Sequence, residues 1–195
     1  MTKKKTTKKT KRVNHGKIFE ESLESSAKKL EIFFSRNRDV FIPPEFRTRM
    51  RVPKNPYDNL LFSEGHLFAL ELKSNQAKSF SFNESIIKEH QIESLLEAST
   101  YKDVIAGIIF NFRSMDNRTF FIEINDFIKY KDIAENQKEH TYKSKINRSS
   151  IPFAICEEIG IEIENELLRT RFHYHLDKFV KDAVERHGGN IIDGA

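Results

Sequence analysis

The sequence has a single cysteine, Cys156, so no internal disulfide can form. The same scarcity excludes a zinc site built from several cysteines. A lone cysteine is typical of a reducing compartment, and we expect a cytoplasmic protein. No apolar run approaches the roughly 20 residues that a membrane-spanning helix needs. No apolar segment follows the basic N-terminus, so we expect neither a signal peptide nor membrane association.

Acidic residues are absent from the first twelve positions, MTKKKTTKKTKR, which carry seven basic residues. Removing these seven from the net charge of +4 leaves −3 for residues 13–195. Such a run is typically disordered and solvated, so we predict a disordered tail at residues 1–12. It would either attract nucleic-acid phosphates through counterion release or only aid solubility.

The rest of the chain predicts one α/β domain with a mixed sheet. Its 195 residues, 38% apolar, suit a single core, and no internal repeat is visible. Apolar residues at three- and four-residue spacing predict a helix over residues 14–37, with Asn14 as N-cap. We expect a strand in DVFIPP and a buried strand in DVIAGIIFNF. We also expect a helix around Gln91, begun near Asn83 or Ser85 and carrying Ile87 on its apolar face.

A hairpin is predicted around Glu64 and Gly65, because glycine at the second turn position suits a two-residue turn. Asp58 then lies opposite Glu71, where two carboxylates need a compensating cation such as Mg²⁺. Lys73 shares a strand face with Glu71 because side chains alternate along a strand. The alternative is a surface hairpin with one weak ion pair.

Two further polar residues stand in apolar surroundings. Gln91 falls on the apolar face of its helix, where a buried amide needs hydrogen-bond partners. Glu20 borders the apolar stripe of the first helix. Each alone is more often structural, but together with the hairpin charges they suggest one site.

These residues resemble the PD-(D/E)xK nuclease superfamily, and within it the RecU-type Holliday junction resolvases of low-GC Gram-positive bacteria and their phages. The resemblance rests on NHGKIFEE, on Asp58 followed by ELK at residues 71–73, and on EHQIESL. It continues through IIFNF, TFFIEINDF and SSIPFAICEEIGIEI and covers roughly residues 13–165. Tyr57 stands where the superfamily has proline, Pro56 where RecU-type enzymes have threonine, and His15 replaces an arginine.

The resemblance implies a restriction-endonuclease-like mixed sheet flanked by helices. It also implies a homodimeric, Mg²⁺-dependent endonuclease that nicks four-way junctions symmetrically and leaves 5′-phosphates. Manganese would substitute for magnesium, and no organic cofactor is expected. Residues 13–185 would form the nuclease domain, and residues 186–195 a flexible C-terminal tail.

The same resemblance assigns roles to the site residues. Asp58, Glu71 and the backbone carbonyl of Leu72 would bind the metal. Lys73 would position or deprotonate the attacking water, or stabilise developing charge. Glu20 would be an outer-sphere or second-metal ligand, and Gln91 would orient the water or the scissile phosphate.

A basic segment supplies the predicted DNA contacts. Arg47, Arg49 and Arg51 alternate, so in an extended chain they would point the same way toward phosphates, with Lys54 beside them. A charged, solvated edge strand is the alternative. The family's junction-gripping stalk appears here only as the short segment FIPPEFRTRMRVPKNP. A nuclease for duplex or flap DNA, or a catalytically silent DNA-binding scaffold, therefore stays as an alternative function.

Overall fold

The computed structural model describes residues 13–37, 43–46 and 55–189. It is an α/β fold built on one six-stranded mixed sheet, as predicted. The helices are α1 (His15–Lys29), α2 (Glu89–Ser99), α3 (Ile124–Asn136), α4 (Phe153–Ile159) and α5 (Leu176–His187). The strands are β1 (Phe33–Arg36), β2 (Asn59–Ser63), β3 (His66–Asn75), β4 (Ser79–Ser81), β5 (Val104–Phe112), β6 (Arg118–Glu123), β7 (Ser150–Pro152), β8 (Ile161–Glu162), β9 (Asn165–Leu167) and β10 (Phe172–Tyr174).

The main sheet has the strand order β1-β2-β3-β5-β6-β8. Neighbours pair antiparallel except β3 and β5, which run parallel and are connected through α2. The carboxyl ends of β3 and β5 therefore meet at one edge of the sheet, together with the start of β2. Two small sheets, β4 with β7 and β9 with β10, complete the described part of the chain.

Apolar cores cover both faces of the sheet. One face packs on α1 and α5, through Phe19, Leu23 and Phe179. The other packs on α2, α3 and α4, with Leu95 and Phe127 in its core. Burial on both faces explains why β5 is continuously apolar.

The predicted hairpin register is confirmed. Ser63 pairs with His66 and Asn59 with Leu70, so the turn consists of Glu64 and Gly65. Both turn residues have positive φ, at 50° and 74°. This is the backbone that a two-residue type I′ turn requires, and glycine adopts it without strain.

The predicted boundaries of the first helix are wrong at the C-terminal end. Asn14 caps α1 as expected, accepting the Lys17 amide at 3.1 Å. The helix ends at Lys29, because Glu31 takes a left-handed backbone with φ of 55° and redirects the chain. Phe34 therefore lies in β1. Most of DVFIPP falls outside the described residues, and its last residue, Pro44, begins a short 3₁₀ helix, Pro44–Phe46.

The predicted start of the second helix is also wrong. Asn83 caps a local turn instead, accepting the Ser85 amide at 2.9 Å, which is a common competitor of helix formation. Lys88 has an extended backbone and α2 begins after it, so Ile87 is buried but precedes the helix. At the far end α5 runs to His187, beyond the predicted domain boundary at residue 185. The predicted tail at residues 1–12 and the end of the chain after residue 189 lie outside the described residues.

Candidate functional site

Glu71 is the centre of the polar cluster at the carboxyl edge of β3. Its side chain is 2% exposed, and its Oε1 accepts hydrogen bonds from Lys73 Nζ at 2.7 Å and from Gln91 Nε2 at 2.6 Å. Two residues apart on one strand, Glu71 and Lys73 point to the same face, which is the face that α2 covers. The predicted convergence of an acid, a lysine and a glutamine is present.

Gln91 connects this cluster to α2. It is the third residue of the helix and is 7% exposed. Its Oε1 accepts from Lys73 Nζ at 3.2 Å and from the Lys88 amide at 3.4 Å. The Glu71 carboxylate accepts hydrogen bonds and the Lys73 ammonium donates them. The Gln91 amide can therefore bond to both only with its nitrogen toward Glu71 and its oxygen toward Lys73. Gln91 therefore positions Lys73 and Glu71 together and helps to start α2.

Asp58 lies one residue before β2 and reaches the same cluster. Its Oδ2 accepts the backbone amide of Leu72 at 3.0 Å, and its carboxyl is near enough for its charge to raise the pKa of Glu71. Leu72 thus contributes its backbone to the site, while its side chain packs in the core on the opposite face. The role of its carbonyl as a metal ligand stays a prediction.

The charge state of Glu71 reflects this crowding. Burial, followed by the negative charge of Asp58, raises the pKa of Glu71 to about 7, against the opposing effect of Lys73. Among the described residues, Glu71 Oε2 is buried and has no hydrogen-bond partner. A buried, unpartnered carboxylate oxygen next to a second carboxyl group fits a hard divalent cation, which prefers oxygen ligands.

Glu20 approaches the cluster from α1 but is held elsewhere. It forms an ion pair with Arg36 of β1, whose other guanidinium nitrogen lies 3.5 Å from Glu24. Burial raises the pKa of Glu20, Arg36 lowers it, and the charge of Asp58 raises it again. Glu20 and Asp58 are therefore close enough to interact, although Glu20 does not join Asp58 and Glu71 in a compact three-acid group. Its ion pair with Arg36 was not predicted from any pattern in the sequence.

Three other residues could hold a metal ion. In the described ranges, one group of at least three such residues has ligand atoms within 4.8 Å of one another. It consists of Glu123, Asp126 and His187. Glu123 also caps α3, its Oε2 accepting the Asn125 amide at 2.8 Å, and Arg186 lies 3.8 Å from Asp126. Burial, followed by the charge of Arg186, lowers the pKa of His187. A histidine ligand favours a transition metal over Mg²⁺. None of these residues was singled out in the sequence.

The predicted DNA-contacting residues Arg47, Arg49, Arg51 and Lys54 lie outside the described residues, and their role stays a prediction. In the described ranges, no helix is long and apolar enough to cross a bilayer.

The fold and this site define a mixed α/β protein with a buried acid–lysine–glutamine cluster at the carboxyl edge of its central sheet. No protein-family model matches the sequence. The chain is 47% identical over 174 residues to the SPbeta prophage-derived uncharacterized protein YotM of Bacillus subtilis (strain 168). The alignment covers 89% of this chain and 88% of YotM, and the chain belongs to the same family as YotM.

Proposed function

We propose that the protein is a Mg²⁺-dependent endodeoxyribonuclease of the RecU type, which acts as a homodimer and resolves four-way DNA junctions by paired nicks. The observation that supports it best is the Glu71 carboxylate. It is buried, fixed on one oxygen by Lys73 and Gln91, and unpartnered on the other, with Asp58 beside it. A structural ion pair has no need of the second acid, which makes the charged form of Glu71 less stable.

Phosphodiester hydrolysis adds a water oxygen to phosphorus and breaks the bond to the 3′ oxygen, leaving a 3′-hydroxyl and a 5′-phosphate. Bound Mg²⁺ would supply Lewis acidity and a lower pKa for the attacking water. Asp58 and Glu71 offer the anionic oxygens that would hold it. Of the three Lys73 donors, Glu71 and Gln91 use two, which leaves one for the water or a phosphate oxygen. Held between two acceptors, Lys73 suits charge stabilisation better than proton abstraction.

The relative of this chain is described as prophage-derived, and the resolvase resemblance includes enzymes of phages. A role in recombination and repair of phage DNA is consistent with both. The cytoplasm is the compartment in which that DNA would be met.

The test is cleavage of a synthetic four-way junction and of linear duplexes made from the same sequences, each with Mg²⁺ or with EDTA. We expect paired nicks in the junction with Mg²⁺, none with EDTA, and little cutting of the duplexes. Asp58→Asn should remove cleavage and leave junction binding largely intact. Equal cutting of junction and duplex would favour the duplex or flap nuclease. No cutting with either Mg²⁺ or Mn²⁺ would favour the silent scaffold.

A further inference from the structure

Five buried side-chain atoms have no hydrogen-bond partner in the part of the chain that the structure describes. In the described residues, these are Nδ2 and Oδ1 of Asn59, Oε2 of Glu71, Oδ1 of Asn75 and Nε of Arg113. Asn59 begins β2, Asn75 ends β3, and Arg113 directly follows β5. Native proteins rarely leave such atoms unpaired, so each of these side chains is a candidate to bind a ligand.

Arg113 differs from the others because it is a cation. Its backbone is fixed by a hydrogen bond from its amide to the Asn75 carbonyl at 3.0 Å. Its Nε is buried without a partner, and no ion pair to it occurs in the part of the chain that the structure describes. A guanidinium is always charged and is suited to bind phosphate through two parallel hydrogen bonds. Arg113 as a whole is only partly buried, so its guanidinium can reach an anion that enters from solvent.

Arg113 lines a cavity of about 520 Å³ on the face of the sheet that α1 covers. The start of α1, at His15, forms part of the wall, and the positive end of a helix favours an anion nearby. Phe172 of β10 forms an apolar part of the wall. Asp116, which is exposed, is the acid among the described residues that line the cavity.

The floor of the cavity is a closed network of neutral polar side chains. Asn111 Oδ1 accepts from Ser74 Oγ at 2.7 Å, and Asn111 Nδ2 donates to Asn117 Oδ1 at 2.9 Å. Asn117 in turn donates to the Tyr174 hydroxyl at 3.0 Å. These neutral groups satisfy one another's hydrogen bonds. Arg113 therefore supplies the cationic group that can bind a ligand in the cavity.

We propose that this cavity, called the Arg113 pocket, binds a backbone phosphate of the DNA strand whose scissile phosphate lies at Glu71. This inference rests on the proposed function. Lys73 and Ser74 are consecutive on β3 and project to opposite faces, Lys73 into the cluster and Ser74 into the pocket. A DNA strand that crosses the carboxyl ends of β3 and β5 would contact both, and the Arg113 contact would then set which phosphate lies at Glu71.

The binding test uses a short single-stranded oligothymidylate in EDTA, so that no cleavage interferes. We expect Arg113→Gln to weaken binding about tenfold, which corresponds to the loss of one good charged contact. The slope of log affinity against log salt should fall by about 0.7, the value for one phosphate on single-stranded DNA. Arg113→Lys should lose less affinity and keep most of the slope. Lys102→Gln, which removes an exposed charge just before β5 at the opposite edge, should change neither.

A second measurement is independent of nuclease activity. The Arg113 Nε–H resonance of the isotope-labelled wild-type protein should shift on titration with a thymidine dinucleotide, as should the Ser74 amide. If the wild type cuts no DNA but this shift and the Arg113→Gln defect occur, the proposed nuclease function fails and the pocket stands. If the wild type cuts junctions while Arg113→Gln binds like the wild type and the resonance does not move, the pocket proposal is wrong. If Arg113→Gln has a much lower melting temperature than Arg113→Lys, its weak binding reflects unfolding and is set aside. The affinity of Arg113→Lys and the wild-type titration then test the proposal.

Discussion

Replacing Glu71 with glutamine should stabilise the protein in the absence of metal. Glutamine has the shape of a protonated glutamate, so its Oε1 can still accept from Lys73 and Gln91. Its amide nitrogen can donate to Asp58 in place of the carboxylate oxygen that now has no partner in the described structure. The variant therefore removes a buried negative charge while it keeps the packing of the site.

The magnitude follows from the pKa. The pKa of Glu71 rises from its ordinary value of 4.5 to about 7 in the folded protein. Each pKa unit corresponds to about 1.36 kcal/mol, so the buried charge costs about 3 kcal/mol of folding free energy. Because the folded pKa is raised, the stability contribution is complete below pH 4.5 and is lost as the pH rises through 7. The variant should therefore gain about 3 kcal/mol over the wild type at about pH 8, but only about 1 kcal/mol at about pH 5.

Thermal unfolding in EDTA measures this gain, which corresponds to about 6–12 °C for a chain of this size. Added Mg²⁺ should then raise the melting temperature of the wild type, since a ligand that binds only the folded state stabilises it. It should do so much less for Glu71→Gln, and His187→Gln serves as the matched control from the other candidate metal group. A Glu71→Gln variant that is less stable than the wild type at about pH 8 in EDTA would show that the buried charge of Glu71 does not destabilise the fold. Loss of the Mg²⁺ response in His187→Gln alone would place the ion at the other group.

Two further predictions concern the chemistry and the core. Lys73→Ala should reduce junction cleavage at least about 100-fold, the usual range for a lost charge-stabilising donor. Its junction affinity should change little, and comparable cleavage by Lys73→Ala and the control Lys102→Ala would contradict the role of Lys73. Gly107→Ala should destabilise the fold by about 3 kcal/mol, because the added Cβ would lie 2.3 Å from the Ile122 carbonyl oxygen and 2.5 Å from the Phe121 ring. Gly189→Ala meets no atom within 4 Å and should have the melting temperature of the wild type. If Gly107→Ala had the same melting temperature as Gly189→Ala, β6 would be able to move away from β5 without loss of stability.

Local patterns were sufficient to predict the hairpin and with it the central pair of the site. The side-chain period of two and the glycine at the turn determine that register, so Asp58 and Glu71 could be brought together from sequence alone. The polar placement of Gln91 on an apolar helix face also carried real information, because a buried amide must have partners. The boundaries of α1 and α2 could not be read in this way. They depend on the left-handed backbone of Glu31 and on the competing turn at Asn83.

The mixed α/β class, the hairpin register and the grouping of Asp58, Glu71, Lys73 and Gln91 in one polar cluster could all be predicted from the sequence. Which charges are neutralised and which are not depends on the fold. Arg36 of β1 binds Glu20 of α1, whereas Arg113 has no ion-pair partner among the described residues and its Nε has no hydrogen-bond partner there. Strand alternation and helix periodicity predict which side chains share a face of one helix or one hairpin, but not how separate elements pack on each other. The partner of a charge depends on long-range packing, which only the folded chain brings about.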